Sequence, residues 1–183
     1  MPWVRRWASL SPGSRVEIRE AVPEEHDAAG RVTMSAYAEY FAPDGVDADH
    51  EYLRAIGDVA GRVARTTILI AVDDGRIVGC ITLELDGRTD LDDGPLEAER
   101  AHIRMLGVAP DARERGIGRA LMDECERRAL AAGKSEMTLH TTQLMQTAQA
   151  MYRSMGYVRT ADQVLPDGFV LLGYRKDLQP STS

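Results

Sequence analysis

The stretch that decides the fold runs from Arg104 to Gly118 and reads Arg-Met-Leu-Gly-Val-Ala-Pro-Asp-Ala-Arg-Glu-Arg-Gly-Ile-Gly. An apolar strand ends at Val108, Pro110 breaks it, and a loop with two glycines leads into an amphipathic helix. Glycine lets the main chain approach a ligand closely, and the amide groups at a helix start attract phosphate oxygens. The pattern therefore predicts an anion-binding loop at the start of this helix.

This stretch differs from two common phosphate-binding motifs, the P-loop and the dinucleotide-binding motif. A P-loop requires Gly-Lys-Ser or Gly-Lys-Thr at the helix start, where this chain has Gly118, Arg119 and Ala120. A dinucleotide fold requires a third glycine or an alanine after Gly116 and Gly118, and that position is Leu121. The P-loop is excluded, while a nicotinamide-dependent oxidoreductase is kept as an alternative.

The same stretch resembles the acyl-CoA signature of the GNAT superfamily of N-acyltransferases. The resemblance rests on Arg113-x-x-Gly116-x-Gly118 after Leu106-Gly107-Val108, and on a second segment, Ala148-x-x-x-Tyr152-x-x-x-Gly156-Tyr157. It covers roughly residues 15–178. The resemblance implies an α/β fold with a mixed, mostly antiparallel central sheet of about seven strands. About four helices would flank this sheet, and its fourth and fifth strands would splay apart.

The resemblance also implies the site residues. In the family, the loop amides hold the pyrophosphate of acetyl-CoA, the acyl-donor cosubstrate, and the preceding strand end pairs with the pantetheine arm. Tyr152 matches the family tyrosine proposed to protonate the leaving thiolate, and the N–H of Val108 would stabilise the oxyanion. Met145 stands where many relatives have an asparagine, and its side chain has no amide group to contact pantetheine. The donor-binding residues implied are Leu106, Gly107, Val108, Arg113, Glu114, Arg115, Gly116, Ile117, Gly118 and Arg119.

The reaction implied is transfer of an acetyl group from acetyl-CoA to a primary amine by direct attack in a ternary complex. An amine with a pKa of about 10.4 is protonated at neutral pH, so a base must remove a proton. His102 and Glu84 are the candidate bases, and Glu99 is a rival. Alternation along a strand places His102 on one face with Arg104 and Leu106, unless a bulge intervenes. We interpret His140 as structural.

Seven strands and four helices are expected, within a single domain of residues 15–178. Residues 1–14 are expected to form a flexible arm, and residues 179–183 a tail. The strands are predicted at 15–21, 66–72, 77–85, 100–108, 137–141, 157–163 and 169–176, where apolar residues alternate or cluster. The helices are predicted at about 23–40, 47–63, 117–132 and 144–155.

Composition sets outer limits on function. The 183 residues are 44% hydrophobic and 28% charged, which is typical of a globular domain. No apolar run approaches a membrane span, and the opening residues lack the core of a signal peptide, so a cytoplasmic protein is expected. The net charge of -7 argues against nucleic-acid binding. Cys80 and Cys125 lack metal-ligand spacing, so we expect buried free thiols and no metal site.

The sequence does not identify the acceptor. A small-molecule or peptide amine fits, and a cluster of acidic residues could attract a cationic one. The closing hairpin offers an edge that could pair with a second copy in a homodimer. A non-catalytic acyl-CoA-binding regulatory module would contain the same loop, so it stays open as an alternative function. The acidic cluster comprises Glu84, Asp86, Asp90, Asp92, Asp93, Glu97 and Glu99.

Overall fold

The structure, a computed structural model, describes residues 6–11, 14–41, 51–86, 96–166 and 168–179. The chain divides into two compact units. The first comprises Met1–Leu83 with Met105–Cys125, and the second comprises Glu84–Arg104 with Glu126–Ser183. The start of the predicted helix at 47–63 lies outside the described residues, as do Asp90, Asp92 and Asp93 of the acidic cluster.

The first unit contains an antiparallel sheet whose strand order follows the sequence. Its strands are β1 (Arg6–Ser11), β2 (Ser14–Glu20), β3 (Thr67–Asp73) and β4 (Arg76–Glu84), although Glu84 itself belongs to the second unit. Asp74 and Gly75 join β3 to β4 with φ of 47° and 77°. Two successive positive φ values match the twist of the flanking strands. The residues Asp73-Asp74-Gly75-Arg76 thus form a tight β-hairpin between the predicted strands at 66–72 and 77–85.

Strand β1 adds to the predicted sheet. Its residues pair antiparallel with β2, from Arg6 opposite Ile18 to Ser11 opposite Ser14. The sequence places this segment in an arm because its apolar residues show no alternation. Pairing through main-chain groups needs no side-chain pattern, so an edge strand of this kind gives little signal in the sequence.

Between β2 and β3, the described residues of the first unit form a 3₁₀ helix (Pro23–Glu25) and three α-helices. These are α1 (His26–Phe41), α2 (Glu51–Gly57) and α3 (Val59–Val63). The predicted helix at 47–63 is divided at Asp58, whose carboxylate accepts a hydrogen bond from the N–H of Gly61 at 2.9 Å. Helices α1 and α2 cross closely, because a Cβ built on Gly30 would lie 2.1 Å from the carbonyl oxygen of Gly57. The buried core here includes Ala29, Val59, Ile68, Ile70 and Cys80.

The second unit contains the parallel pair of the sheet. The first part of β5 (Arg100–Val108) runs parallel to β6 (Glu136–Thr141), with pairs from Arg100 opposite Glu136 to Ile103 opposite Leu139. Strand β6 pairs antiparallel with β9 (Val170–Asp177), which also pairs with β7 (Val158–Arg159) and β8 (Gln163–Val164). Helix α4 (Ile117–Ala131) continues from the first unit, and α5 (Gln146–Ser154) precedes β7.

The architecture confirms the expected fold class, a mixed and mostly antiparallel sheet with flanking helices. The described residues form nine strands rather than about seven, because β1 is added and the predicted strand at 157–163 is divided into β7 and β8. They form five α-helices rather than about four, since α2 and α3 are separate. Cys80 and Cys125 are buried free thiols, as predicted. Among the described helices, none combines the length and apolar character needed to cross a membrane.

Candidate active site

The loop before α4 has the main-chain geometry of an anion-binding site. After β5, a 3₁₀ turn at Pro110–Ala112 leads to Glu114 and Gly116, which have φ of 61° and 77°. The N–H of Ala120 bonds to the carbonyl of Gly116 at 3.0 Å, closing the first turn of α4. The amides of Ile117 and Gly118 precede that bond, so they have no acceptor within the helix. This arrangement suits the oxygens of a phosphate group.

Two loop arginines direct their guanidinium groups toward the protein. Arg113 forms an ion pair with Glu39 at 2.7 Å and donates to the carbonyl oxygen of Ala36 at 3.3 Å, both on α1. Arg115 pairs at 2.7 Å with Asp73, the last residue of β3. These side chains attach the loop to its own unit. The geometry therefore supports anion binding by the main chain of the loop more than by these two guanidinium groups.

The end of β5 departs from regular strand geometry. Met105 has a φ of 53°, in the left-handed region that costs a residue with a Cβ on the order of 1–2 kcal/mol. This irregularity falls between Arg104 and Leu106 and interrupts the alternation of side chains along β5. His102 and Arg104 therefore lie on one face of the strand, as expected, and Leu106 no longer follows the same alternation. Strained main chain of this kind is concentrated at functional sites.

Gly107 has a packing role next to this irregularity. A Cβ built there would lie 3.1 Å from the Cβ of Ala36 and 3.1 Å from the Cα of Thr33. Contacts that short are tighter than most Cβ contacts, so a side chain at this position would require α1 to shift by a few tenths of an ångström. The predicted donor-binding residues Leu106 and Val108 flank Gly107 and are both half-buried.

The second unit contains a cavity of about 260 Å³. It brings together two of the three predicted catalytic residues, His102 and Glu84. Charged and hydrogen-bonding side chains from four strands dominate its wall. The lining residues are Glu84, Leu96, Glu97, Arg100, His102, Arg104, Glu136, Thr138, Leu139, His140, Thr160, Tyr174 and Arg175.

A buried ion pair joins Glu84 to Arg104 in this cavity. The Glu84 carboxylate accepts a hydrogen bond from Nε of Arg104 at 2.7 Å, and the two side chains are only 3% and 17% exposed. Removing one partner of such a pair leaves the other charge poorly compensated in a desolvated place. Glu84 thus has a structural partner in addition to its candidate role as a base.

His102 is held by the neighbouring strand. Its side chain is buried, and Nδ1 lies 2.8 Å from Oγ1 of Thr138 on β6. The ring of His140 lies 5.3 Å from the His102 ring, centroid to centroid. Both histidines therefore line the same cavity wall, and His140 has a place in the candidate site that the sequence interpretation does not give it.

Charged groups at the cavity wall balance one another. The Glu136 carboxylate pairs with Arg100 and, at 3.0 Å, with Arg175. Arg175 also contacts Asp177 at 2.8 Å, and Arg100 contacts Glu97 at 3.3 Å. The three arginines and three glutamates of the wall thus neutralise each other, so the described wall is not strongly acidic.

Tyr152 is not a lining residue of this cavity, but it lies in the second unit within a cluster of buried tyrosines that includes the lining residue Tyr174. It is on α5, and its ring centroid is 6.0 Å from those of Tyr157 and Tyr174. Burial, and to a smaller extent the nearby Tyr174, raises the pKa of the Tyr152 phenol above its ordinary value of about 10. The phenol therefore remains protonated at neutral pH and has a proton to donate.

Several site residues carry no motif in the sequence. Glu136, Thr138 and His140 alternate along β6 and line the cavity together, so period-two alternation could have placed them on one face. Met105 is different, because neither glycine nor asparagine marks its positive φ. Within the described ranges, no group of three or more His, Cys, Asp or Glu side chains is arranged to hold a metal ion.

The fold resembles solved acetyltransferases. A GNAT-family acetyltransferase from Staphylococcus aureus aligns with 90% of this chain and 99% of its own, with a TM-score of 0.68 and 17% identity. A putative acetyltransferase from Salmonella typhimurium, with its cofactor acetyl-CoA, covers 92% of this chain and 96% of its own at a TM-score of 0.65 and 18% identity. At these identities the likeness establishes the fold alone.

Sequence comparison identifies the family. The mycothiol acetyltransferase of Cellulomonas flavigena is 31% identical over 162 residues, which span 85% of this chain and 44% of that protein. The chain spans about half the length, or less, of the curated relatives it matches. The family model described as "Acetyltransferase (GNAT) family" matches residues 31–157. Because that match covers well over half of the sequence, the chain belongs to the GNAT acetyltransferase family.

Proposed function

We propose that the protein transfers an acetyl group from acetyl-CoA to a primary amine by direct attack in a ternary complex. The observation that carries the proposal is the main chain of the loop, where Glu114 and Gly116 adopt positive φ directly before α4. Main-chain amides at such a helix start would bind the pyrophosphate of acetyl-CoA. The similar Salmonella typhimurium structure contains acetyl-CoA, which supports the same donor here.

The end of β5 would receive the acyl end of the donor. We propose that the main chain of Leu106, Gly107 and Val108 pairs with the pantetheine arm, and that the N–H of Val108 donates to the developing oxyanion. Loss of one such donor costs on the order of 3 kcal/mol in other acyl transferases. The strained main chain at Met105 supports a functional assignment for this part of the strand.

Tyr152 would act as the general acid. Acetyl-CoA supplies an activated acyl carbon, and its thiol must take a proton when it leaves. A tyrosine phenol is protonated at neutral pH and can donate its proton to the leaving thiolate. Burial raises the pKa of Tyr152, which keeps the phenol protonated and also makes it a weaker acid. Nothing in this step requires a metal ion.

His102 would act as the general base, with Glu84 as the rival. Histidine is the side chain that most often takes up and releases protons in catalysis near neutral pH. Glu84 is engaged by Arg104 at 2.7 Å, so taking a proton would weaken a buried ion pair. This cost favours His102.

The acceptor is proposed only as a class, a small-molecule or peptide amine. A thiol-release assay with acetyl-CoA and a panel of amines tests the function. We expect release that depends on both acetyl-CoA and one class of amine. Absence of release with every amine, together with no binding of acetyl-CoA, would reject the proposal.

Tyr152→Phe separates an enzyme from a non-catalytic acyl-CoA-binding module. We expect kcat to fall about 10²- to 10⁴-fold, the usual contribution of a positioned acid, with acetyl-CoA affinity retained. Tyr157→Phe is the matched control, because Tyr157 is also buried and its hydroxyl donates to Glu126 at 3.0 Å. The control should lose stability and keep its kcat. Equal rates in both variants would contradict the assigned role of Tyr152.

A further inference from the structure

Thr138 links His102 to the main chain of β5. In the parallel ladder, Thr138 on β6 lies directly opposite His102. Its Oγ1 is 2.8 Å from Nδ1 of His102 and 3.3 Å from the carbonyl oxygen of Ala101. Both contacts are set by paired strands rather than by a loop, so the three groups are held in a fixed arrangement.

Proton counting assigns the tautomer of the histidine. A carbonyl oxygen can only accept a hydrogen bond, and a threonine hydroxyl has one proton to donate. If Thr138 donates that proton to Ala101, its oxygen must accept a hydrogen bond from Nδ1 of His102. This assignment makes both contacts hydrogen bonds at once. In the neutral imidazole, the lone pair then lies on Nε2.

We propose that Thr138 is a positioning residue that holds His102 in the Nδ1–H tautomer, so that Nε2 is the atom that removes the proton from the acceptor amine. The inference rests on the proposed function only for the role of His102 as the base. In that step a proton moves from the amine nitrogen to Nε2, and the nitrogen lone pair is released for attack on the acyl carbon. The resulting imidazolium keeps its Nδ1–H bond to Thr138 and later returns the Nε2 proton to water.

Nitrogen-15 NMR of the imidazole rings tests the tautomer directly. The 183-residue chain is labelled with ¹⁵N, and the His102 signals are identified by their loss in His102→Gln. We expect shifts of a protonated Nδ1 and an unprotonated Nε2 in the neutral ring of the unmodified protein. The opposite pattern would overturn the proposal, and this measurement needs neither turnover nor a Thr138 variant.

Two Thr138 variants then test whether the Thr138 hydroxyl sets the tautomer of His102. Thr138→Val keeps the shape of the side chain and removes the hydroxyl, whereas Thr138→Ser keeps the hydroxyl. We expect a mixed or reversed His102 tautomer in Thr138→Val and the original tautomer in Thr138→Ser. An unchanged tautomer in folded Thr138→Val would overturn the assignment to Thr138. If that variant does not fold, Thr138→Ala is measured under the same criterion.

The kinetic readout separates positioning from a structural role. Thr138→Val should lower kcat about 10-fold or more, while KM for both substrates changes less than about twofold. Thr138→Ser should restore most of the rate. Equal kcat in Thr138→Val and the unmodified protein would contradict the proposal. Failure of the proposed function would look different, because the unmodified protein would show the expected tautomer and release no thiol with any amine.

Discussion

The loop of the first unit and the cavity of the second differ in what builds them. The loop, from Arg113 to Gly116, depends on main-chain conformation, with positive φ at two positions and helix amides directly after. Arg113 and Arg115 of this loop form ion pairs with carboxylates of the same unit. The cavity depends on side chains, which project from regular strands and pair with one another. A site formed by main-chain groups tolerates changes of side chain, so it suits a cosubstrate that stays the same. A site formed by side chains can be altered by substitution, so it suits an acceptor that differs from one protein to another.

Because the cavity is built from paired side chains, we expect the buried ion pair of Glu84 with Arg104 to make the largest contribution to the stability of the protein. Glu84→Gln should lower the free energy of unfolding by about 3 kcal/mol, because Arg104 would be left without its carboxylate in a place where it is only 17% exposed. Urea denaturation measures the loss.

The matched control is the exposed pair between Arg76 and Asp111, whose side chains are 56% and 63% exposed at a distance of 2.9 Å. Asp111→Asn should cost less than about 1 kcal/mol. Equal losses in Glu84→Gln and Asp111→Asn would mean that the Glu84 pair is no more important to stability than a surface contact.

The loop can be tested through two glycines with the same main-chain conformation. Gly116 and Gly133 have φ of 77° and 78°, but Gly116 lies in the loop and Gly133 follows the C-terminal end of α4. Alanine at either position should cost on the order of 1–2 kcal/mol of stability, because a side chain disfavours positive φ. Only Gly116→Ala should also raise KM for acetyl-CoA, by about 10-fold.

Comparison of the two alanine variants removes the contribution of general destabilisation. Enzyme kinetics at a temperature well below both melting transitions gives the KM values. If KM for acetyl-CoA rises equally in Gly133→Ala, or does not rise in Gly116→Ala, the loop does not contribute to binding of the acyl donor.

The smallest expected effect concerns the buried acid of the second unit. Burial raises the pKa of Tyr152 in the folded protein, so the phenol stays protonated there while the unfolded chain ionises above about pH 10. This group's contribution is fully present below pH 10 and is lost as pH rises. Between pH 10 and 11 the loss should be about 1 kcal/mol larger in the unmodified protein than in Tyr152→Phe. Urea denaturation at both pH values measures the difference, and parallel pH dependences would contradict it.

The difference between the main-chain loop and the side-chain cavity also explains which parts of the structure can be predicted from the sequence. Glycine and proline mark main-chain conformation, so the hairpin at Asp74-Gly75 and the loop before α4 could be located from residue types alone. Alternating apolar residues predicted most strands. The break at Asp58 and the edge strand β1 were harder, because one depends on a side-chain cap and the other on main-chain pairing.

The cavity could be predicted only in part. The sequence identifies His102 as a candidate base, but its partner Thr138 follows from the parallel register of β5 and β6, which the sequence does not specify. The ion pair of Glu84 with Arg104 likewise depends on which strands lie together. Met105 carries its positive φ without any residue-type signal, because tertiary structure imposes that strain.

Calorimetric titration of acetyl-CoA into the 183-residue chain tests most directly whether it uses the loop before α4 to bind an acyl donor. We predict uptake of one acetyl-CoA per chain by the unmodified protein and by Gly133→Ala, with weaker uptake by Gly116→Ala. Absence of uptake by the unmodified protein, or equal affinity in all three proteins, would contradict it.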